Sequence, residues 1–252
     1  KNVKNKKKFF KGQIYSKNDP YYRGAKEQGF RARSAFKLIQ VDEEFNIFKN
    51  CKRAVDLCSA PGSWSQVLSQ KLYENDEQRN DPNDVRIASV DLQEVAPIPG
   101  VSFVMGDITT KKTAQAVLDI FKGEKADLVI SDGAPDVTGF HEIDQYMQAQ
   151  LLQAGLTITQ SMLREGGTFV AKFFKGADLS YLDVMMKQLF KDVYVVKPQS
   201  SRASSAEAFV VGINFMAGNE LVLSTSMMGL KEKLDGEVIA EEKEEDEDVL
   251  TF

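Results

Sequence analysis

The sequence predicts an α/β fold: a mostly parallel seven-stranded sheet with one antiparallel edge strand and helices on both faces. Three observations carry this expectation. Between about residues 53 and 215, short apolar runs alternate with longer segments of helical periodicity, the pattern of parallel strands joined by crossover helices. Hydrophobic residues make up 42% of the 252 residues, enough for a substantial core. The first four strand runs each hold an acid at or near the end, namely Asp56, Asp91, Asp107 and Asp132. In open parallel sheets the carboxyl ends of the strands border the ligand crevice, so these acids fall along one rim.

The elements follow in order. Residues 1–19 read as a disordered basic arm. Phe30, Ala35, Phe36, Leu38, Ile39, Val41 and Phe45 recur near helical spacing, which gives helix between 20 and 50 with a break around Gly29. The stretch VDLCSAPGSWSQVLSQKL, residues 55–72, reads as strand 53–58, a Pro-Gly turn and helix 64–72. A polar loop, YENDEQRNDPND, comes next. VRIASVDL and GVSFVMGDI are the second and third strands, and a helix runs to about 121. ADLVISDGAP is the fourth strand, 143–164 a long helix, GGTFVAKFF the fifth strand and 178–189 a helix. VYVVKP and EAFVVGINF close the sheet as a hairpin-like edge. One domain is therefore expected over 20–215, followed by an extension, 216–252, that carries the acidic run AEEKEEDED. Its terminal VLTF is either a further strand or a free end.

The charge is unevenly placed. The chain carries a formal −5, yet residues 1–37 hold twelve Lys/Arg against two acids, a balance of +10. Residues 231–252 hold three lysines against ten acids, a balance of −7. A basic arm on an acidic chain points to a local anionic partner such as RNA, with Lys26, Arg31 and Arg33 as its contacts; a solvated charged surface is the alternative. No run of 18 apolar residues occurs, so no membrane span is expected, and the basic N-terminal residues lack the apolar core of a signal peptide. Cys51, Cys58 and His141 show no metal-ligand spacing. A reducing, cytoplasmic setting without disulfide or zinc is the reading.

The turn after the first strand has the single glycine Gly62, whereas a pyrophosphate cradle needs several. Asp91 is placed to accept hydrogen bonds from ribose hydroxyls, and Asp107 from an adenine amino group. A ligand with ribose, adenine and positive charge but no phosphate suits this set, and S-adenosylmethionine is such a ligand.

The stretches RARSAFKL, VDLCSAPGSWSQVL, GDIT, SDGAPDVTG, GGTFVAKFF and SSRASSAEAFVV occur in order between about Phe30 and Phe215. Together they resemble the FtsJ-like family of S-adenosylmethionine-dependent RNA 2'-O-ribose methyltransferases. Through YYRGAKEQGFRARSAFKL, DGAPDVTG and KPQSSRASSAEAF the chain is similar to the eukaryotic tRNA anticodon-loop branch. The departures are Ser59, where alanine is usual, and a long loop at 73–84. The resemblance implies a Rossmann-like methyltransferase fold. It implies cofactor contacts at Gly62, Trp64, Asp91, Asp107 and Asp132. It also implies a Lys-Asp-Lys-Glu catalytic set on Lys37, Asp132, Lys172 and Glu207, no metal, a target ribose at the wobble nucleotide or the 5' start of the anticodon loop, and auxiliary WD-repeat propeller and helical-repeat proteins.

The chemistry needs such a set, because a ribose hydroxyl is a weak acid that must lose its proton as it attacks. Lys172 interrupts the apolar strand TFVAKFF near its carboxyl end and is the candidate base. A free lysine has a pKa of about 10.4; burial or a neighbouring cation such as Lys37 lowers such a value, and carboxylates such as Asp132 and Glu207 raise it. Trp64 reads equally as core and as cofactor contact. The alternatives are a ribosomal RNA 2'-O-methyltransferase, a nicotinamide oxidoreductase, which the missing glycines oppose, and a non-catalytic RNA-binding module, which the complete catalytic set opposes.

Overall fold

The computed structural model describes residues 19–135, 141–174, 179–219 and 221. The basic arm before Asp19, the acidic run and VLTF lie outside the described residues. Seven strands form one sheet: β1 Ala54–Leu57, β2 Ile87–Asp91, β3 Val101–Met105, β4 Ala126–Ser131, β5 Leu163–Phe174, β6 Phe190–Val196 and β7 Glu207–Phe215. Their order is β3-β2-β1-β4-β5-β7-β6. The first five run parallel, and β7 is antiparallel to both β5 and β6. The expected reversed strand is thus on this side of the sheet, one place in from the rim. The chain leaves β6, turns through 197–206 and inserts β7 beside β5, so β6 is outermost.

The helices are α1 Pro20–Glu27, α2 Ala35–Phe45, α3 Ser63–Leu72, α4 Asp76–Arg79, α5 Lys111–Ile120, α6 His141–Met162 and α7 Leu179–Leu189. The break near Gly29 separates α1 from α2. The polar loop contains a turn of helix, α4, which its lack of apolar periodicity concealed; Asn75 caps it through Gln78 N. Asp19 caps α1 by accepting from the N–H groups of Tyr21 and Tyr22 at 3.1 Å, with Pro20 at the first helical position, where a missing N–H costs nothing.

Strands of a two-sided sheet send alternate residues to opposite faces. Val55, Leu57, Val129, Phe169 and Phe173 join one core with α5, α6 and α7. Ala54, Leu128, Ile130, Val170 and Phe209 join a second core with α1, α2 and α3. This division places Asp56 and Lys172, the polar residues between those apolar ones, on the α1–α3 face. Among the described residues no helix is long and apolar enough to cross a membrane.

Candidate active site

Four ionisable side chains meet on the α1–α3 face at the carboxyl ends of β4 and β5. In the β5–β7 ladder Lys172 stands opposite Phe209, so Glu207, two residues from Phe209, is a same-face diagonal neighbour of Lys172. In the parallel β4–β5 ladder Ser131 is in register with Ala171, which brings Asp132 beside Lys172. Lys37, on the first turn of α2, comes down from above. Two pairs result. Lys37 Nζ donates to Glu207 Oε2 at 2.7 Å. Lys172 Nζ lies 3.0 Å from Asp132 Oδ1 and donates to the Asp132 carbonyl at 2.5 Å. All four side chains are between 11 and 20% exposed. Burial pushes the Glu207 carboxyl up, but the hydrogen bond and charge of Lys37, with Ser201 and the charge of Lys172, outweigh it and hold the group below its ordinary value. Glu207 is thus an anion that fixes Lys37, and the Lys37 ammonium stands 5.9 Å from the centre of the ring of Phe209, the residue opposite Lys172.

The other wall lies at the ends of β1, β2 and β3. Gly62 caps α3 with φ +101°, and a Cβ there would come within 2.8 Å of Arg31 Nη1 and Ile98 Cδ1. Asp91 Oδ2 accepts from Ala60 N at 2.7 Å and Oδ1 from Gln93 N at 2.8 Å, so this acid shapes the turn it faces. Asp107 is exposed, and its Oδ1 accepts from the N–H and the hydroxyl of Thr109, both at 2.8 Å.

Beneath this wall Asp56 is fully buried and accepts from Ser65 Oγ at 2.5 Å. Burial pushes its carboxyl up to about 7; the Ser65 hydrogen bond opposes this, and the charges of Asp132 and Asp91 add to it. Burial with Asp91 and Asp56 likewise pushes the Cys58 thiol up to about 12, so it is no nucleophile at neutral pH. Asp56 Oδ1 and Ser59 Oγ are buried without a hydrogen-bond partner.

These features fit S-adenosylmethionine. The orphaned Asp56 Oδ1 and Ser59 Oγ and the carboxylates of Asp91 and Asp132 near them complement a cationic ligand, and nothing in the single-glycine turn resembles a phosphate cradle. Sequence reasoning passed over Leu92 and Met105, each 70% exposed, which adjoin Asp91 and Asp107 on the rim. Met105 is in register with Asp91. A large apolar residue directly after a strand-end acid was the available signal for Leu92.

Three expected contacts are engaged elsewhere. The Trp64 ring is 2% exposed, donates through Nε1 to Ser34 O at 2.9 Å and lies 5.7 Å from the Phe209 ring. Its side chain packs α3 against α2. Arg33 pairs with Asp19, donates to Ser200 O and covers the Tyr21 ring at 5.7 Å; its charge is spent joining α1 to the loop before β7. Arg31 donates to Pro61 O and Pro97 O. Lys26 is exposed, its ammonium 4.9 Å from the centre of the Tyr22 ring. Local sequence could not reveal most of these partners, because Ser34, Pro61, Pro97 and Ser200 lie 30 or more residues away along the chain.

A parallel sheet with an inserted reversed strand, acids along the strand ends and a single-glycine turn after the first strand define a Rossmann-like methyltransferase. A ribosomal RNA methyltransferase, so assigned by inference, from Plasmodium falciparum has a similar solved structure, with TM-score 0.63 and 28% identity over 75% of this chain and 100% of that one. The FtsJ-like methyltransferase family model matches residues 30–215, and the chain belongs to that family. It is 54% identical over 195 residues to the human tRNA (cytidine(32)/guanosine(34)-2'-O)-methyltransferase, covering 77% of this chain and 57% of that protein. It is 42% identical over 211 residues to an AdoMet-dependent rRNA methyltransferase of Neurospora crassa, covering 84% of this chain and 24% of that protein. The chain thus spans a little over half the length of the human relative.

Proposed function

We propose that the protein is an S-adenosylmethionine-dependent tRNA 2'-O-ribose methyltransferase acting on the anticodon loop, at the wobble nucleotide, the 5' start of the loop, or both. The observation that carries the reading is the meeting of Lys37–Glu207 and Lys172–Asp132 on one sheet face beside the nucleoside crevice. The higher identity to the human tRNA enzyme than to the ribosomal RNA enzyme supports tRNA as the substrate.

The cofactor, when bound, supplies a methyl group already electrophilic on a sulfonium. The protein's task is then the ribose hydroxyl. Lys172 first releases its ammonium proton to solvent, and the neutral Nζ then takes the 2'-hydroxyl proton as the oxygen gains the methyl group. Asp132 holds that amine at the mouth of the crevice through its carboxylate and its carbonyl. Glu207 fixes the Lys37 ammonium, whose positive charge favours the oxyanion developing on the ribose. Because the four groups are fixed before substrate arrives, positioning also lowers the barrier, by an amount that can reach about 7–11 kcal/mol in favourable cases. Gly62, Asp91 and Asp107 hold the cofactor, and Lys26 meets RNA phosphate. A loop ribose suits such a site, since unstacked bases can splay onto a protein surface.

A compact domain has little surface for a whole tRNA, which supports auxiliary WD-repeat propeller and helical-repeat proteins that select the position. A cytoplasmic setting accords with two free cysteines. The test is site-resolved mapping of 2'-O-methyl groups on tRNA and ribosomal RNA incubated with the chain and S-adenosylmethionine, with and without those partners. Methylation in the anticodon loop, enhanced by a partner, is expected. Efficient methylation of ribosomal RNA with the anticodon loop untouched would move the protein to the ribosomal branch.

A further inference from the structure

Arg31 lies in the link between α1 and α2, the segment of the chain on the RNA side, yet its side chain reaches the cofactor wall. Nη1 donates to Pro61 O at 2.9 Å and Nη2 to Pro97 O at 3.0 Å. Pro61 belongs to the turn after β1 and Pro97 to the loop after β2, so one planar guanidinium spans two loops fed by different strands. The backbone behind it is anchored as well. Arg31 N donates to Gln66 Oε1 at 2.8 Å, and Gln66 Nε2 donates to Gly29 O at 2.9 Å, which ties residues 29–31 to α3. The guanidinium lies against Gly62, where a Cβ would approach Nη1 to 2.8 Å. Two carbonyls on diverging loops suit the fixed fork of arginine and not the single ammonium of lysine.

We propose that Arg31 is a positioning residue for the cofactor: it straps the turn at 59–62 to the loop at 95–99 and so couples crevice geometry to the helical segment that meets RNA. The inference rests on the methyltransferase reading and adds to it a link between the two binding events. By thermodynamic reciprocity, any change in cofactor affinity that RNA causes by shifting this segment is matched by the same factor in RNA affinity when cofactor binds.

The test uses the full chain with Arg31→Gln and Arg31→Lys. Binding of S-adenosylhomocysteine is measured by calorimetry with and without tRNA, tRNA binding is measured alone, and amide hydrogen exchange is followed in the cofactor-free protein. Arg31→Gln is expected to raise the dissociation constant about tenfold, the factor for losing one charge-assisted hydrogen bond. It should accelerate exchange at 59–62 and 95–99 while the thermal midpoint stays near wild type. Arg31→Lys should recover only part of the affinity. Full affinity in Arg31→Lys, or unchanged affinity and exchange in Arg31→Gln with weakened RNA binding, would overturn the strap and make Arg31 a phosphate contact. If wild type itself bound no S-adenosylhomocysteine, the methyltransferase reading would fail instead, and the exchange measurement would still decide whether Arg31 holds the two loops.

Discussion

On the catalytic wall Lys37 and Glu207 meet at 2.7 Å across a separation of 170 residues, and both are largely buried. On the cofactor wall Asp107 turns back onto Thr109, two residues away, and remains in solvent. Lys172 and Asp132 come from adjacent strands and are already paired. Leu92 and Met105 stand exposed with nothing packed over most of their surface. The proposed catalytic wall is closed by ion pairs within the protein, while the proposed cofactor wall presents exposed side chains to solvent. A fixed set of charges avoids reorganisation at the moment of reaction, which is where electrostatic catalysis gains most. A binding rim needs no such closure, and local turns suffice to aim its acids.

The contrast would break first at Lys172. Lys172→Ala is expected to lower the single-turnover rate by about 10²–10⁴-fold with RNA saturating, the usual range for loss of a general acid or base. The dissociation constant for S-adenosylmethionine should not change. A rate near wild type would remove Lys172 from the catalytic wall, and a large loss of cofactor affinity would merge the two walls.

A smaller effect is expected at Asp107. Asp107→Ala should raise the cofactor dissociation constant about tenfold, since an unmatched buried donor costs about 1–3 kcal/mol. Asp107→Asn keeps an oxygen for Thr109 but presents an amide on the ligand side. It should lose affinity as Asp107→Ala does if the carboxylate accepts from adenine, and keep it if the turn alone matters. Calorimetry on both variants separates the two.

Asp56 sharpens the comparison through pH. Its carboxyl is pushed from 3.8 to about 7 in the fold, so between those values the native state holds a proton that the unfolded chain has lost. The contribution of Asp56 to stability is therefore fullest below about pH 4, declines as pH rises toward 7 and is level above that. Asp56→Asn should flatten that part of the curve of thermal midpoint against pH from 4 to 8. An unchanged slope would show that the floor beneath the cofactor wall carries no such proton.

The smallest effect concerns the RNA face. Lys26→Glu should weaken tRNA binding modestly and reduce the slope of log affinity against log salt by about one, with cofactor affinity unchanged. An unaltered salt slope would leave Lys26 as solvated surface.

Legibility in the sequence divided along the same line. Alternating periodicities placed every strand within a few residues, and the acids at strand ends marked the rim, because both signals depend on neighbours in the chain. α4 escaped, being a single polar turn held by Asn75. Charge alone marked Lys26, Arg31 and Arg33 alike, although Asp19, Ser200, Pro61 and Pro97 claim two of them.

The set of elements, the strand-end acids, the single-glycine turn and the identity of the four catalytic candidates were readable from the chain, since periodicity and motif order are properties of the chain. What only the tertiary structure decided was their pairing: β7 inserted between β5 and β6, so that Glu207 faces Lys172 diagonally and reaches Lys37. It also decided that the Trp64 ring packs between α3 and α2, and that the Arg31 guanidinium bridges two loops. The physical reason is that a polar side chain taken from water must find its partner wherever packing brings one, and for these residues that partner lies tens to more than a hundred residues away.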